Sequence, residues 1–233
     1  MLEVIAFDAD DTLWHNEEYY THAKAVFIQI LSRYHNPEWV EQRLDEIEIH
    51  NVQAYGYGIK SFVLSMLESA VELSSGQVAG SEIQEILALG KGMLAEEVRL
   101  IDHAEETLGQ LAPDYQLMLI TKGDTFEQER KVRRSGLVKY FRYIEIVGEK
   151  TRLAYQTLLD KHNIAAPKFL MVGNSLRSDI LPVLEIGAQA VYVPYPHTWS
   201  HENIVGDALD NHNYHEIGDL SQLPVVLRRL NHR

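Results

Sequence analysis

Five short apolar runs bounded by polar residues, at 2–7 (LEVIAF), 116–121 (QLMLIT), 143–147 (YIEIV), 168–173 (KFLMVG) and 188–193 (AQAVYV), most constrain the fold of this chain. Each has the length of a buried strand, and near-continuous apolar strands belong to parallel sheets covered on both faces. Helical patterns fill the intervals at about 125–135, 151–162 and 178–186, with Gly136 and Gly187 where helices stop. Strands alternating with helices predict right-handed βαβ crossovers and a Rossmann-like, three-layer α/β/α core.

The runs are unevenly spaced. From about 17 to 100 the chain shows helical periodicity, as in HAKAVFIQILSRY and IKSFVLSMLESAVEL, and no strand pattern. The expectation is therefore a discontinuous α/β core of residues 1–15 and 100–233, interrupted by an all-helical domain at 16–99. Residues 203–218, rich in Asn, Asp, Gly and His, read as a loop before a last helix from about Ser221.

Composition narrows the class. With 45% hydrophobic residues in 233, a sizeable core is available. A net charge of −13 argues against a nucleic-acid surface, which needs clustered Lys and Arg; the one basic run, ERKVRR, reads as a solvated helical face. No apolar run is long enough to span a bilayer, and the N-terminus lacks the basic start of a secretory signal, so no membrane partner and a cytoplasmic location are expected. Having no cysteine, the chain has neither disulfides nor a thiolate nucleophile. Oligomeric state is not legible at this level.

Ligands of open parallel sheets bind outside the carboxyl ends of the strands. There the sequence places Asp8, Asp10 and Thr12 after the first run, Thr121-Lys122-Gly123-Asp124 after the second, Lys150 after the third, and Gly173-Asn174-Ser175 through Asp179 after the fourth. Carboxylates, a hydroxyl and a lysine in one crevice suit a cation and a phosphoryl group. A carboxylate can attack phosphorus to form an aspartyl-phosphate, and Asp8 at the strand end is the candidate nucleophile. Along an extended chain the side chains alternate, so Asp10 can return to the site that Asp8 faces and serve as general acid and base, while Asp11 is left a structural or solvated role. Crowded carboxylates raise one another's pKa, which calls for a cation; an all-oxygen set suits Mg²⁺.

These four motifs, DxDxT, hydrophobic-T-x-G, Lys and G-N-x-x-x-x-D, occur in the order of the haloacid dehalogenase superfamily, which the sequence resembles over about 1–15 and 100–220. The resemblance implies that Asp179 and the Asp10 carbonyl join Asp8 on Mg²⁺. It also implies that Thr121 and the N–H groups of Lys122 and Gly123 hold phosphoryl oxygens, and that Lys150 neutralises charge. It departs at Asn174, where many members carry Asp, and at Lys122, where Asn is common. Members acting as dehalogenases lack an acid at the position of Asp10, so the resemblance points to a phosphatase acting on a small phosphorylated metabolite. A phosphomutase and a catalytically weakened binding protein are the alternatives; a receiver-type signalling module would carry its phosphoacceptor where Thr121 stands. The helical insertion resembles the cap (C1-type) of one subgroup. In it, AYGYGIKSF offers Tyr57 and Lys60 as substrate contacts, or Gly56 and Gly58 as a plain interhelical turn. Trp14 and His15 are candidate contacts where the chain leaves the core, an ordinary packing role for Trp14 being the alternative; His212 and His215 read as solvated, with no third ligand evident.

Overall fold

The computed structural model describes residues 1–196 and 214–231. The chain opens with β1 (Val4–Phe7), followed by α1 (Glu17–Leu31), α2 (Pro37–Tyr55), α3 (Ile59–Leu73) and α4 (Gly80–Ala95). Then come α5 (Ala104–Leu111), β2 (Gln116–Lys122), α6 (Thr125–Arg134), β3 (Tyr143–Val147), α7 (Arg152–Lys161), β4 (Phe169–Gly173), α8 (Leu181–Leu184), β5 (Gln189–Tyr192), β6 (His215–Glu216) and α9 (Leu223–Asn231). Two compact units divide these elements: Met1–Glu17 with the described residues from Val98 onward, and Glu18–Glu97.

In the first unit the six strands form one parallel sheet in the order β3-β2-β1-β4-β5-β6. Alternation of side chains sorts its core into two layers. Ile5, Phe7, Leu117, Leu119, Leu170 and Val172 pack with Leu108 of α5, Val132 of α6 and Leu227 of α9 on one face. On the other, Val4, Ala6, Met118, Ile120 and Met171 pack with Tyr155 and Leu158 of α7 and Val183 of α8. Burial on both faces explains why the strands read as unbroken apolar runs. Phe7 lies beside Leu119 of β2 and Val172 of β4, so the residues following these three strands emerge at one edge.

Two expectations are corrected. β6 falls within the stretch read as loop; His215 is in a strand, whereas His212 and most of 203–218 lie outside the described residues. The helix expected at 178–186 begins instead as a π-helical turn at Leu176–Ile180 that runs into the short α8. A π-turn re-aims its side chains, and such turns concentrate at functional sites.

The second unit is all helical. Phe27 and Leu31 of α1, Leu44 of α2, Phe62 and Met66 of α3 and Ile86 of α4 form its core, at the spacing that brings residues onto one helical stripe. Gly56 (φ +73°) and Gly58 (φ +111°) make the turn between α2 and α3. Tyr57 within it is half-buried, and Lys60 is exposed on the first turn of α3. Among the described residues, no helix is long and apolar enough to cross a membrane.

Candidate active site

The site begins where β1 ends. The Asp8 N–H donates to the Val172 carbonyl at 2.9 Å, carrying the ladder one residue past the strand. The chain then turns tightly: the Leu13 N–H donates to the Ala9 carbonyl (2.8 Å) and the Asp11 N–H to the Trp14 carbonyl (2.7 Å). Asp11 takes the left-handed conformation (φ +63°), which the short polar side chain of Asp tolerates better than most. Its carboxylate accepts from the N–H groups of Asn16 (2.8 Å) and Glu17 (3.1 Å), fixing the exit of the loop. Burial pushes this carboxyl up to about 7, and Asp10 adds to the rise. Asp11 thus has the structural role left to it by the alternation argument.

Asp8 is buried, and its neighbours come from its own loop and from the ends of β3 and β4. The Lys150 ammonium, itself buried, donates to Asp8 Oδ1 and to Asp179 Oδ1, the latter at 2.7 Å. Thr12 Oγ1 donates to Asp8 Oδ2 at 3.0 Å. Burial pushes the Asp8 carboxyl up to about 7 against the pull of Lys150, with Asp179 pushing the same way as burial. Burial alone would lower the Lys150 ammonium, but Asp179 and Asp8 outweigh it and hold the group above its ordinary value. Lys150 therefore stays charged between two carboxylates.

Asp179 is aimed by the π-turn. Its Oδ2 accepts the Ser175 N–H at 3.0 Å, and the Ser175 hydroxyl caps the Ser178 N–H at 2.9 Å. Gly173, the last residue of β4, leaves the space: a Cβ there would stand 2.3 Å from Asp179 Oδ2. We expect Gly173→Ala to lower stability by about 1–3 kcal/mol, the usual penalty of overpacking, as read from the urea midpoint. An unchanged midpoint would mean that Asp179 has room to move aside.

Asn174 closes the group. With its NH₂ turned toward them, it donates to Asp8 Oδ2 (3.2 Å), Thr12 Oγ1 (3.1 Å) and the Asp10 carbonyl (3.2 Å). The two carboxylates and the backbone carbonyl are oxygen donors of the kind Mg²⁺ accepts, and the Asn174 amide would join them only when rotated to present Oδ1. Among the described residues, no group of three or more His, Asp or Glu side chains gathers as a metal-ligating cluster.

The Asp10 side chain has other partners. Its Oδ1 accepts from Trp14 Nε1 (2.6 Å) and its Oδ2 from Gln128 Nε2 (2.8 Å), while Lys131 Nζ reaches both oxygens (3.0 and 2.9 Å). Trp14, named both as a candidate substrate contact and as an ordinary packing residue, is 1% exposed and packed in the core, with its indole N–H on Asp10. His15 is half-buried and bonded through Nδ1 to the Tyr195 hydroxyl at 2.8 Å.

At the end of β2, Thr121 is buried and its hydroxyl donates to Gln128 Oε1 at 3.3 Å. One detail differs from the resemblance. The Gly123 N–H, expected on a phosphoryl oxygen, donates to the Val147 carbonyl (3.2 Å), because the β2–β3 pairing continues past the strand. The Lys122 side chain donates to Ser178 Oγ (3.0 Å), tying β2 to the π-turn. Tyr57 and Lys60 belong to the helical unit.

Gln128 and Lys131 escaped the sequence reading, and Lys131 was placed on a solvated face. Both lie on the inward side of α6 with Val132, and the Lys131 side chain is 15% exposed. The signal available was their spacing: 128, 131 and 132 share one helical face.

The parallel α/β sheet thus carries a lysine-bridged pair of buried carboxylates, Asp8 and Asp179, at its carboxyl edge. The family model for haloacid dehalogenase-like hydrolases matches residues 2–187, and the chain belongs to that family. The structure is similar to a haloacid dehalogenase-like family hydrolase from Xanthomonas campestris at 38% identity, covering 99% of this chain and 92% of that one, with a TM-score of 0.88. It shares its fold with a 2-haloacid dehalogenase from Pseudomonas syringae (23% identity, 98% and 99% covered, TM-score 0.61). A predicted phosphoglycolate phosphatase from Haemophilus somnus is likewise similar (16% identity, 97% and 98% covered, TM-score 0.63). The search of curated proteins found no match.

Proposed function

We propose that this hydrolase is a Mg²⁺-dependent phosphatase that cleaves a small phosphomonoester through an aspartyl-phosphate on Asp8. The observation that carries the reading is Asp10, an acid two residues beyond the buried Asp8 and furnished with its own set of donors. A halide leaves carbon as a stable anion and needs no proton, whereas an alcohol leaving phosphorus does. A second acid two residues beyond the proposed nucleophile therefore favours phosphate-ester chemistry.

In this reading Asp8 attacks phosphorus, Asp10 protonates the leaving oxygen and later takes a proton from the attacking water, and Lys150 balances the charge of Asp8 and Asp179. Thr121 and the backbone at Lys122 orient the phosphoryl group. Asp8, Asp179 and the Asp10 carbonyl would hold Mg²⁺, with Asn174 joining through its amide oxygen once the amide turns, and the ion would supply positive charge to the phosphoryl oxygens. The helical unit would serve as the cap that selects the leaving group, with Tyr57 and Lys60 as candidate contacts.

With p-nitrophenyl phosphate, phosphate release is expected in Mg²⁺ and should fall to background in EDTA, returning when Mg²⁺ is added in excess. Undiminished turnover in EDTA would remove the metal from the reading. Release of fluoride or chloride from a haloacid, with no phosphate released from a broad ester panel, would replace it with dehalogenase chemistry.

A further inference from the structure

We infer that Lys131 and Gln128 are positioning residues for proton transfer by Asp10, an inference that rests on the phosphatase reading above. Four contacts from three side chains hold the Asp10 carboxylate in one orientation: Trp14 on Oδ1, Gln128 on Oδ2 and Lys131 on both. Two of these side chains are themselves fixed. Trp14 and Gln128 are 1% and 2% exposed, and Gln128 is also bonded to Thr121, so one amide links the Asp10 loop to the end of β2. Gly123 keeps this arrangement open, since a Cβ there would lie 3.1 Å from Gln128 Nε2.

Lys131 differs from the other two in having further partners for its donor group, Asn16 Oδ1 at 2.8 Å and the Glu127 carboxylate at 3.4 Å. It can therefore release one carboxylate oxygen to an incoming group and keep a partner, while Gln128 and Trp14 retain the orientation. The step served is the one in which Asp8 forms its bond to phosphorus and the bond from phosphorus to the leaving oxygen breaks. A proton carried by Asp10 on the oxygen that Lys131 has released passes to the leaving oxygen, leaving the Asp10 carboxylate to which Lys131 returns. A carboxylate free to take other rotamers meets the leaving oxygen less often, which costs rate only where the leaving group needs the proton.

Leaving-group dependence reads this role directly. Phenyl phosphate and p-nitrophenyl phosphate have similar shapes, but phenol is the poorer leaving group. Lys131→Met is expected to lower kcat for phenyl phosphate about tenfold more than kcat for p-nitrophenyl phosphate, with KM little changed, and Lys131→Arg to recover part of the loss. Gln128→Met should act in the same direction and serves as the reading if Lys131→Met does not fold, as judged by circular dichroism. Equal losses on both substrates, or none, would overturn the inference and leave the phosphatase reading standing, provided that Asp10→Asn shows the selective loss. If Asp10→Asn spares phenyl phosphate too, the role of Asp10 and this inference fall together.

Discussion

Asp8→Asn is expected to abolish phosphate release, by about a thousandfold or more, in a protein that remains folded. The substitution keeps size and one acceptor oxygen but removes the nucleophilic carboxylate. Stability should hold or rise slightly. Burial makes the ionised Asp8 costly, Asp179 repels it, and Lys150 keeps its 2.7 Å bond to Asp179 when Asp8 is neutralised. The check is single-turnover release of phosphate from p-nitrophenyl phosphate beside a urea unfolding curve. More than a tenth of the wild-type rate in Asp8→Asn would exclude Asp8 as the nucleophile.

Lys150→Met should have the largest effect on stability. It leaves two buried carboxylates, Asp8 and Asp179, without the ammonium that joins them, and stranding buried charge in this way costs about 3–5 kcal/mol. The pH dependence follows from linkage. In the unfolded chain a carboxyl such as Asp8 binds its proton near 4, whereas in the folded protein burial has already moved it up to about 7. Between these values the folded state holds more protons than the unfolded one, so this group makes stability fall as pH rises through the window. Without Lys150 the Asp8 carboxyl moves higher still and the window widens. The deficit of Lys150→Met relative to wild type should therefore be larger at about pH 7.5 than at about pH 5, as read from urea midpoints. Adding Asp179→Asn to Lys150→Met should restore much of the loss, since one of the two stranded charges is then gone. A deficit independent of pH, with no rescue by the double substitution, would mean that Lys150 acts through packing and not through charge.

These two predictions rest on residues that the sequence already singled out, and the reason is local. Asp8, Thr121, Lys150 and Asp179 each follow an apolar run, and a strand end can be read wherever such a run stops. The Asp8/Asp10 spacing was read from extended-chain alternation, yet the chain leaves extended geometry at once, through Asp11 at φ +63°. The Asp10 carbonyl comes to the Asn174 amide, 3.2 Å away, while its carboxylate turns to α6. Gly123 shows the opposite lesson: its N–H was expected on a ligand, but a ladder bond to Val147 claims it.

By itself, the sequence determined the elements that periodicity encodes: five of the strands, the helices between them, the helical interruption and the order of the four motifs. Hydrophobic period and turn residues act over a few positions, so they need no partner to be legible. Only the tertiary structure decided which face of α6 turns inward, and with it the roles of Gln128 and Lys131. A polar residue on a helix reads as solvated until the half-buried carboxylate it serves is known. The same holds for the π-turn that aims Asp179 and for β6, whose two residues become a strand only because Val191 and Tyr192 pair with them. Burial and hydrogen-bond partners are properties of the assembled sheet, and they are where the chemistry of Asp8 and Asp10 is set.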